Sequence, residues 1–272
     1  RSVPPAPEAE ARAQSRYTPG MASTQPPPTA QTATVLSDLI EGRGELFPCA
    51  HEIHGLKSGR VEAVEVLTRY RGASGLLEPV GPLLRAEGHS AQARAALDLR
   101  CLETALEALS RSRGRWDCAF VNLEPMTMEH PPFWTGIERW LRLPGLQSMR
   151  LVLELTESFS ELDLEALQGH SRRLRDLGVR IAVDDLGSGV ASLTHMARLA
   201  PDYIKADQSL VRLVHRRPYQ AALLNALAHF ARRMCVGFIA EGIETPEELQ
   251  AVIDADVPWA QGYHFGEPMP MA

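Results

Sequence analysis

The chain has 272 residues, of which 44% are apolar, and a formal net charge of −6. This length and apolar content allow one large domain with a substantial core. The acidic balance argues against duplex nucleic acid as a partner, and no run approaches the ~20 apolar residues of a membrane span.

Residues 1–34 form a segment rich in Pro, Ala and Thr with few large apolar side chains. This composition predicts a disordered linker or tail, so the folded domain is expected to span residues 35–272. The four cysteines are widely spaced, without a CxxC pair, and are expected to be reduced thiols in a cytoplasmic protein.

Strand-like and helix-like segments alternate after this linker. Two extended runs, 45–53 and 60–70, are separated by the short turn Lys57-Ser58-Gly59, which predicts an antiparallel pair. Ser90 and Thr245 are predicted helix N-caps, the latter in a capping box with Glu248. Further strands are predicted at 118–123, 150–155, 179–183, 203–206, 235–240 and 257–263, and further helices at 134–143, 163–177, 192–199 and 218–233.

Eight strands with intervening helices predict an α/β fold, a (β/α)8 TIM-like barrel with an antiparallel first strand. In such a barrel the carboxyl ends of the parallel strands meet at one mouth. Polar residues end the successive apolar runs, and they are Glu65, Asn122, Glu154, Asp184, Asp185, Lys205, Glu241 and Gln261.

Five of these eight residues are acidic, and their convergence requires a compensating positive charge. Two carboxylates about 4 Å apart repel by roughly 4 kcal/mol at an effective dielectric near 20. Oxygen-rich ligand sets suit Mg²⁺ or Mn²⁺, and paired aspartates can bridge two ions. The sequence therefore predicts a site for two divalent cations at the mouth of the barrel.

The motifs around these residues resemble the EAL domain, a family of cyclic di-GMP phosphodiesterases. They occur in the family's order over about residues 45–270. The matching blocks are Glu65-Val66-Leu67 with Arg69, Asn122-Leu123, Glu154-Leu155-Thr156-Glu157, Asp184-Asp185-Leu186-Gly187-Ser188-Gly189, Ile204-Lys205-Ala206-Asp207, Ala240-Glu241-Gly242-Ile243-Glu244-Thr245 and Gln261-Gly262-Tyr263.

The resemblance implies roles for individual residues. Lys205 would lie against the attacking water, and together with Glu65 and Glu241 it makes up the expected catalytic group. Leu67, Arg69 and Gln261 would contact the substrate, and Glu157 would anchor the loop 185–192 that couples the metal site to a dimer interface. The first metal would be held by Glu65, Asn122, Glu154 and Asp184, and the second would be held or hydrated by Asp184, Asp185 and Glu241.

The activity implied by the resemblance is hydrolysis of cyclic di-GMP to linear pGpG by a water activated between two metal ions. The expected partners are the cyclic dinucleotide, a second copy in a homodimer, and an N-terminal sensory or GGDEF-type domain in a longer protein. The domain itself is expected to be cytoplasmic, although an upstream region could attach the longer protein to a membrane.

Two other functions stay open at this point. Phe47 stands where the family commonly has a guanine-contacting glutamine, and Glu124 and the altered loop 186–190 also depart from the pattern. These departures favour a catalytically weak or inactive cyclic di-GMP receptor or a protein-interaction module. A third alternative is a metal-dependent barrel enzyme acting on another phosphoester. His51-Glu52-Ile53-His54 lacks the spacing of a helical metal motif, so its histidines are interpreted as ordinary surface or core residues.

Overall fold

A computed structural model describes residues 30–86, 88–112, 114–155, 164–186, 196 and 198–271, apart from the side chains of residues 30–32 and 185. The strands of this described part are β1 Leu46–Gly55, β2 Arg60–Arg71, β3 Leu77–Pro79, β4 Cys118–Leu123, β5 Arg150–Leu155, β6 Arg180–Leu186, β7 Tyr203–Ala206, β8 Gly237–Ala240, β9 Trp259–Ala260 and β10 Met269–Pro270. Its α-helices are α1 Ala30–Ile40, α2 Gly81–Arg85, α3 Ala91–Arg111, α4 Pro131–Trp140, α5 Leu164–Asp176, α6 Gln208–Val211, α7 Pro218–Met234 and α8 Pro246–Asp254.

The sheet closes on itself as a barrel. Its strands follow the order β1-β9-β8-β7-β6-β5-β4-β2, and β2 pairs with β1 to complete the ring. Neighbouring strands from β2 round to β9 are parallel, whereas β1 runs antiparallel to both β2 and β9. This arrangement confirms the predicted barrel with an antiparallel first strand.

The barrel interior is filled by one side chain from each of β1, β2, β5, β6, β7 and β8 and by two from β4. These buried residues are Ile53, Ala63, Cys118, Phe120, Val152, Ala182, Tyr203 and Ile239. A second and larger apolar layer lies between the strands and the surrounding helices. Because side chains of a strand alternate between its two faces, a step of two residues from the interior set stays inside the barrel. That step leads to the candidate site.

Most predicted elements agree with the structure, with differences at their ends. Ser90 caps α3 by accepting a hydrogen bond from the Ala93 N–H. Helix α4 begins three residues earlier than predicted, because its first positions are prolines, which are favoured there. The eighth barrel strand is only Trp259–Ala260, since the chain turns away directly after it. Most of the predicted helix 192–199 lies outside the described residues.

Residues 1–29 also lie outside the described residues, so the predicted linker stays a prediction there, whereas residues 30–34 at its predicted end belong to helix α1. Helix α1 begins at Ala30 and packs Leu36 and Leu39 against Tyr70 and Leu97. None of the helices in the described part has the length and apolar character needed to cross a membrane. All four cysteines are free thiols, and Cys235 is the exposed one.

Candidate active site

The candidate site lies where the interior faces of the strands reach the mouth of the barrel. Two residues beyond Ala63, Phe120, Val152, Ala182, Tyr203 and Ile239 stand Glu65, Asn122, Glu154, Asp184, Lys205 and Glu241. The top layer of the interior is thus polar where the layer below it is apolar. Register supports this placement, because Asn122 lies directly beside Glu154 on the neighbouring strand.

Lys205 occupies the centre of this polar layer. Its Nζ lies 2.5 Å from Glu241 Oε1, 2.8 Å from Glu154 Oε1, 3.4 Å from Asp184 Oδ1 and 3.5 Å from Glu65 Oε1. The Lys205 side chain is only 1% exposed, and that of Glu154 is fully buried. Lys205 on β7 therefore meets four other predicted site residues, which lie on β2, β5 and β6 and directly after β8.

Burial and charge act against each other in this cluster. Burial disfavours the Lys205 ammonium, but the four carboxylates outweigh it and hold the pKa of Lys205 well above its usual range. Burial raises the pKa of Glu154 and of Glu241 well above the usual value, although Lys205 opposes it. The cluster has more acidic groups than one ammonium neutralises, which is the electrostatic condition for binding a further cation.

Glu65 is held by a second set of contacts on its other side. Burial opposes its ionisation, but Lys205 and hydrogen bonds from Gln261 and Asn122 lower its pKa. Gln261 Nε2 donates to Glu65 Oε2 at 2.7 Å, and Asn122 Nδ2 donates to Glu65 Oε1 at 3.2 Å. Gln261 Nε2 also lies 2.7 Å from His51 Nδ1. Glu65 is thus an ionised carboxylate with a fixed orientation.

Two glycines allow the chain to turn directly after site residues. Gly242 follows Glu241 with a φ of 65°, and a side chain there would meet Gln208. Gly262 follows Gln261, and a Cβ atom on it would lie 2.2 Å from the Ile243 backbone N. The Ile243 N–H donates to the Gln261 carbonyl at 3.1 Å, so the two turns support each other. Only glycine permits this close approach.

Two cavities meet at Glu65. The Gln261 lobe, of about 320 Å³, is lined by His51, Glu65, Asp207, Gln208, Glu241, Gly242, Glu244, Gln261, Gly262 and Tyr263. The Arg69 lobe, of about 330 Å³, contains Leu67, Arg69, Asn122 and Asp184 among its lining residues. The three predicted substrate-contacting residues, Leu67, Arg69 and Gln261, therefore all face one of the two lobes.

The side chain of Asp185 and the whole of Glu157 lie outside the described residues, so their predicted roles are untested. Phe47 lies at the start of β1 beside Arg71, and the β1 residue that faces the site is His51. The interpretation of His51 and His54 as surface or core residues and not as a metal motif stays a prediction, and the structure adds that His51 lines the Gln261 lobe. A signal was present, because His51 stands two residues from the interior residue Ile53 on a strand that runs in the opposite direction.

The donor set fits a divalent cation. Four buried side-chain oxygens of the site accept no well-aligned hydrogen bond from the described residues: both oxygens of Glu154, Oδ1 of Asp184 and Oε1 of Gln261. Buried oxygens are normally satisfied, and carboxylate and amide oxygens suit Mg²⁺ and Mn²⁺. Within the described part, no three acidic, His or Cys side chains already have metal-ligand geometry around a common point, and Lys205 lies at the centre of the carboxylates.

The family model that matches this sequence is the EAL domain, over residues 34–268. The chain belongs to the EAL domain family. The match covers the barrel and every residue of the site described above, so the resemblance inferred from the motifs is confirmed.

Relatives of this EAL domain include the cyclic di-GMP phosphodiesterase NbdA of Pseudomonas aeruginosa. It is 31% identical over 230 residues, which are 81% of this chain and 28% of NbdA. The chain spans less than a third of the length of the first curated relatives that it matches.

Solved structures with the same fold include two proteins in complex with cyclic di-GMP. BlrP1 of Klebsiella pneumoniae, in a manganese and cyclic di-GMP complex, has a TM-score of 0.70 and 26% identity over 83% of this chain and 56% of that one. The MucR phosphodiesterase of Pseudomonas aeruginosa, in a c-di-GMP complex, has a TM-score of 0.71 and 25% identity over 88% of this chain and 98% of that one.

Proposed function

We propose that this EAL domain is a metal-dependent phosphodiesterase that hydrolyses cyclic di-GMP to linear pGpG. The observation that carries the proposal is the buried Lys205 surrounded by Glu65, Glu154, Asp184 and Glu241 at the mouth of the barrel. An uncompensated acidic cluster of this kind is costly to a fold and is typical of a catalytic centre.

Two divalent cations, Mg²⁺ or Mn²⁺, are proposed as cofactors. The manganese complex of BlrP1 supports the use of a divalent ion by a relative. Glu65, Asn122, Glu154 and Asp184 would hold the first ion, and Asp184, Asp185 and Glu241 would hold or hydrate the second. When bound, such ions neutralise phosphate charge and lower the pKa of a coordinated water.

The chain's own residues supply orientation and proton handling. In the metal-free protein the carboxylates hold the pKa of Lys205 well above its usual range. We assign Lys205, at the centre of these carboxylates, as the group that hydrogen-bonds and orients the attacking water, and a carboxylate of the cluster accepts the proton of that water. The water oxygen forms a bond to phosphorus, the bond from phosphorus to the 3′ oxygen of one ribose breaks, and the departing 3′ oxygen takes up a proton from solvent to become the ribose hydroxyl.

The two lobes support a substrate with two bases. They lie on either side of Glu65 and have nearly equal volumes of about 320 and 330 Å³. A cyclic dinucleotide would place one guanine towards each lobe and its phosphate ring over the acidic cluster. Arg69, in the second lobe, supplies a guanidinium for one phosphate. Leu67 lines the Arg69 lobe and Gln261 lines the other, and both are proposed to contact the substrate there.

Nucleotide hydrolysis by the purified protein tests the proposal. Cyclic di-GMP is incubated with Mn²⁺ or Mg²⁺, and pGpG is quantified by chromatography. We expect turnover that EDTA abolishes and that Glu154→Gln reduces by about 100-fold or more. Glu52→Gln, on the outer face of β1, is the matched control and should retain activity. Nucleotide binding without hydrolysis under either metal would overturn the enzymatic proposal and favour a receptor.

The homodimer, the upstream sensory or GGDEF-type domain and the cytoplasmic location are also proposals. Light scattering of the purified domain with and without nucleotide tests the dimer. A monomer at concentrations where the enzyme is fully active would contradict it.

A further inference from the structure

His51 is joined to both sides of the candidate site by hydrogen bonds. Its Nδ1 lies 2.7 Å from Gln261 Nε2, and its Nε2 lies 3.2 Å from the carbonyl oxygen of Gly266. On the paired strand β2, the residue opposite His51 is Glu65. His51 therefore lies next to Glu65, whose carboxylate contacts Lys205.

The chemistry of the donors and acceptors fixes the protonation of this chain of contacts. The Glu65 carboxylate can only accept, so the Gln261 amide nitrogen must donate to it at 2.7 Å. The second N–H of the same nitrogen then donates to His51 Nδ1, which must carry a lone pair. The imidazole proton is thereby on Nε2, where it donates to the Gly266 carbonyl.

This arrangement also fixes the side-chain amide oxygen of Gln261, Oε1, which remains a hydrogen-bond acceptor. Gln261 is 2% exposed, and its Oε1 accepts no hydrogen bond from the described residues. An amide held by only one contact can rotate and present oxygen in place of nitrogen. Rotation here would bring Oε1 against the Glu65 carboxylate, and these two acceptors would repel each other. Because His51 Nδ1 accepts a hydrogen bond from Gln261 Nε2, it favours the orientation in which Gln261 also donates to Glu65.

We propose that His51 is a positioning residue that fixes the Gln261 amide and, through it, the Glu65 carboxylate and the Gln261 Oε1 acceptor in the site. The expected kinetic effects rest on the proposed function. The orienting effect of His51 on the Gln261 side chain does not depend on it. Asparagine at position 51 would keep an acceptor near the position of Nδ1, whereas leucine would remove it.

The test is a double-mutant cycle with His51→Leu, Gln261→Leu and both together, complemented by His51→Asn. The readouts are kcat and KM for cyclic di-GMP and, independently, the affinity for Mn²⁺ alone by titration calorimetry. We expect His51→Leu to lower kcat and Mn²⁺ affinity by about 10- to 100-fold, as for other residues that orient a metal ligand. KM should change less than kcat, and His51→Asn should recover most of the loss.

Because His51 acts through Gln261, His51→Leu should have little further effect once Gln261 is leucine. Additive effects, or equal losses for His51→Asn and His51→Leu, would overturn the proposal. His54→Leu and His54→Asn, on the opposite face of β1, are the matched controls and should behave like wild type. If the wild-type protein does not hydrolyse the nucleotide, the proposed function fails, whereas the cycle in Mn²⁺ affinity still decides the role of His51.

Discussion

Lys205 is the residue on which the electrostatics of the site depend. It is buried and lies within 3.5 Å of four carboxylates. Removing one partner from a buried charge cluster leaves the other charges uncompensated, at a cost of about 3 to 5 kcal/mol. The residue is therefore expected to be structural as well as catalytic in the metal-free protein.

Lys205→Met should separate these two roles. In EDTA we expect a free energy of unfolding lower than that of wild type by about 3 to 5 kcal/mol. Mn²⁺ should restore much of this stability, because cations can replace the missing ammonium, but hydrolysis should remain about 100-fold or more below wild type. Urea unfolding in EDTA and in Mn²⁺ measures the first effect. A metal-free variant as stable as wild type would contradict the account.

Asp98 on α3 gives the protein a pH-dependent stability. It is 2% exposed, and burial raises its pKa to about 7, with a smaller contribution from the Glu124 charge. Its Oδ2 accepts the Glu124 N–H at 3.0 Å. The pKa is thus higher in the folded state than the value of about 3.9 in the unfolded state. The folded protein binds the proton more tightly, so stability falls as pH rises from about 4 to about 7.

Asp98→Asn should remove this dependence while keeping an acceptor for the Glu124 N–H. We expect the free energy of unfolding of wild type to fall by about 4 kcal/mol between pH 4 and pH 7 because of this group, and to lose no more above pH 7. We expect the variant to be more stable than wild type at pH 8, and this advantage to shrink as the pH falls and to disappear by about pH 4. Urea unfolding of both proteins across this range measures it. Parallel pH profiles for the two proteins would show that Asp98 is not the titrating group.

At the residue scale, the convergence of the site side chains was predictable where the signal was local, and their catalytic and metal-binding roles stay predictions. Glu65, Glu154, Asp184 and Lys205 each end an apolar run, and the barrel rule then places them together. His51 was missed because its partners, Gln261 and Gly266, are more than 200 residues away along the chain. Asp98 was missed because a single acidic residue in a helix pattern does not reveal its burial.

At the scale of elements, helix α8 connects a capping motif to the active site. Thr245 Oγ1 accepts the Glu248 N–H, and the Glu248 carboxylate accepts the N–H groups of Leu213, Glu244 and Thr245 at 2.8, 3.0 and 3.2 Å. Glu248 is 2% exposed. Its hydrogen bonds hold residues 244 and 245, which follow closely after Glu241. This capping box was predictable from four consecutive residues, whereas the additional bond to Leu213 was not.

Glu248→Ala should destabilise the domain and loosen the segment that carries Glu241. Three N–H groups lose a charged acceptor, at a cost of about 2 to 4 kcal/mol. The melting temperature should fall by about 5 to 10 °C, and hydrolysis should fall with it. Calorimetry and kinetics of the variant test this expectation. The exposed neighbour Glu247→Ala is the control, and an equal effect of both substitutions would contradict the assigned role.

At the scale of the whole molecule, barrel closure is what makes the site. Residues from β2 to β9 reach one mouth only because β1 closes the ring, and the antiparallel direction of β1 brings its N-terminal half, with His51, to that mouth. Fold class and strand order followed from the alternation of segments. The precise length of β9 did not, because two-residue pairing depends on contacts made across the sheet.

Metal binding should stabilise the whole domain. A ligand present at 100 times its dissociation constant adds about 2.7 kcal/mol to the free energy of unfolding. For a domain of this size the melting temperature should rise by about 5 to 10 °C in saturating Mn²⁺. Glu154→Gln should show a much smaller rise. A melting temperature that does not respond to Mn²⁺ or Mg²⁺ would argue against a resident cation.

The acidic cluster around Lys205 is proposed to bind divalent cations for phosphodiester hydrolysis. A crystal soaked with Mn²⁺, and measured at the manganese absorption edge, shows whether the ions bind there. We expect anomalous peaks within coordination distance of Glu65, Asn122, Glu154 and Asp184, close to Lys205. Anomalous density only elsewhere on the molecule, with the cluster still closed around Lys205 alone, would contradict it.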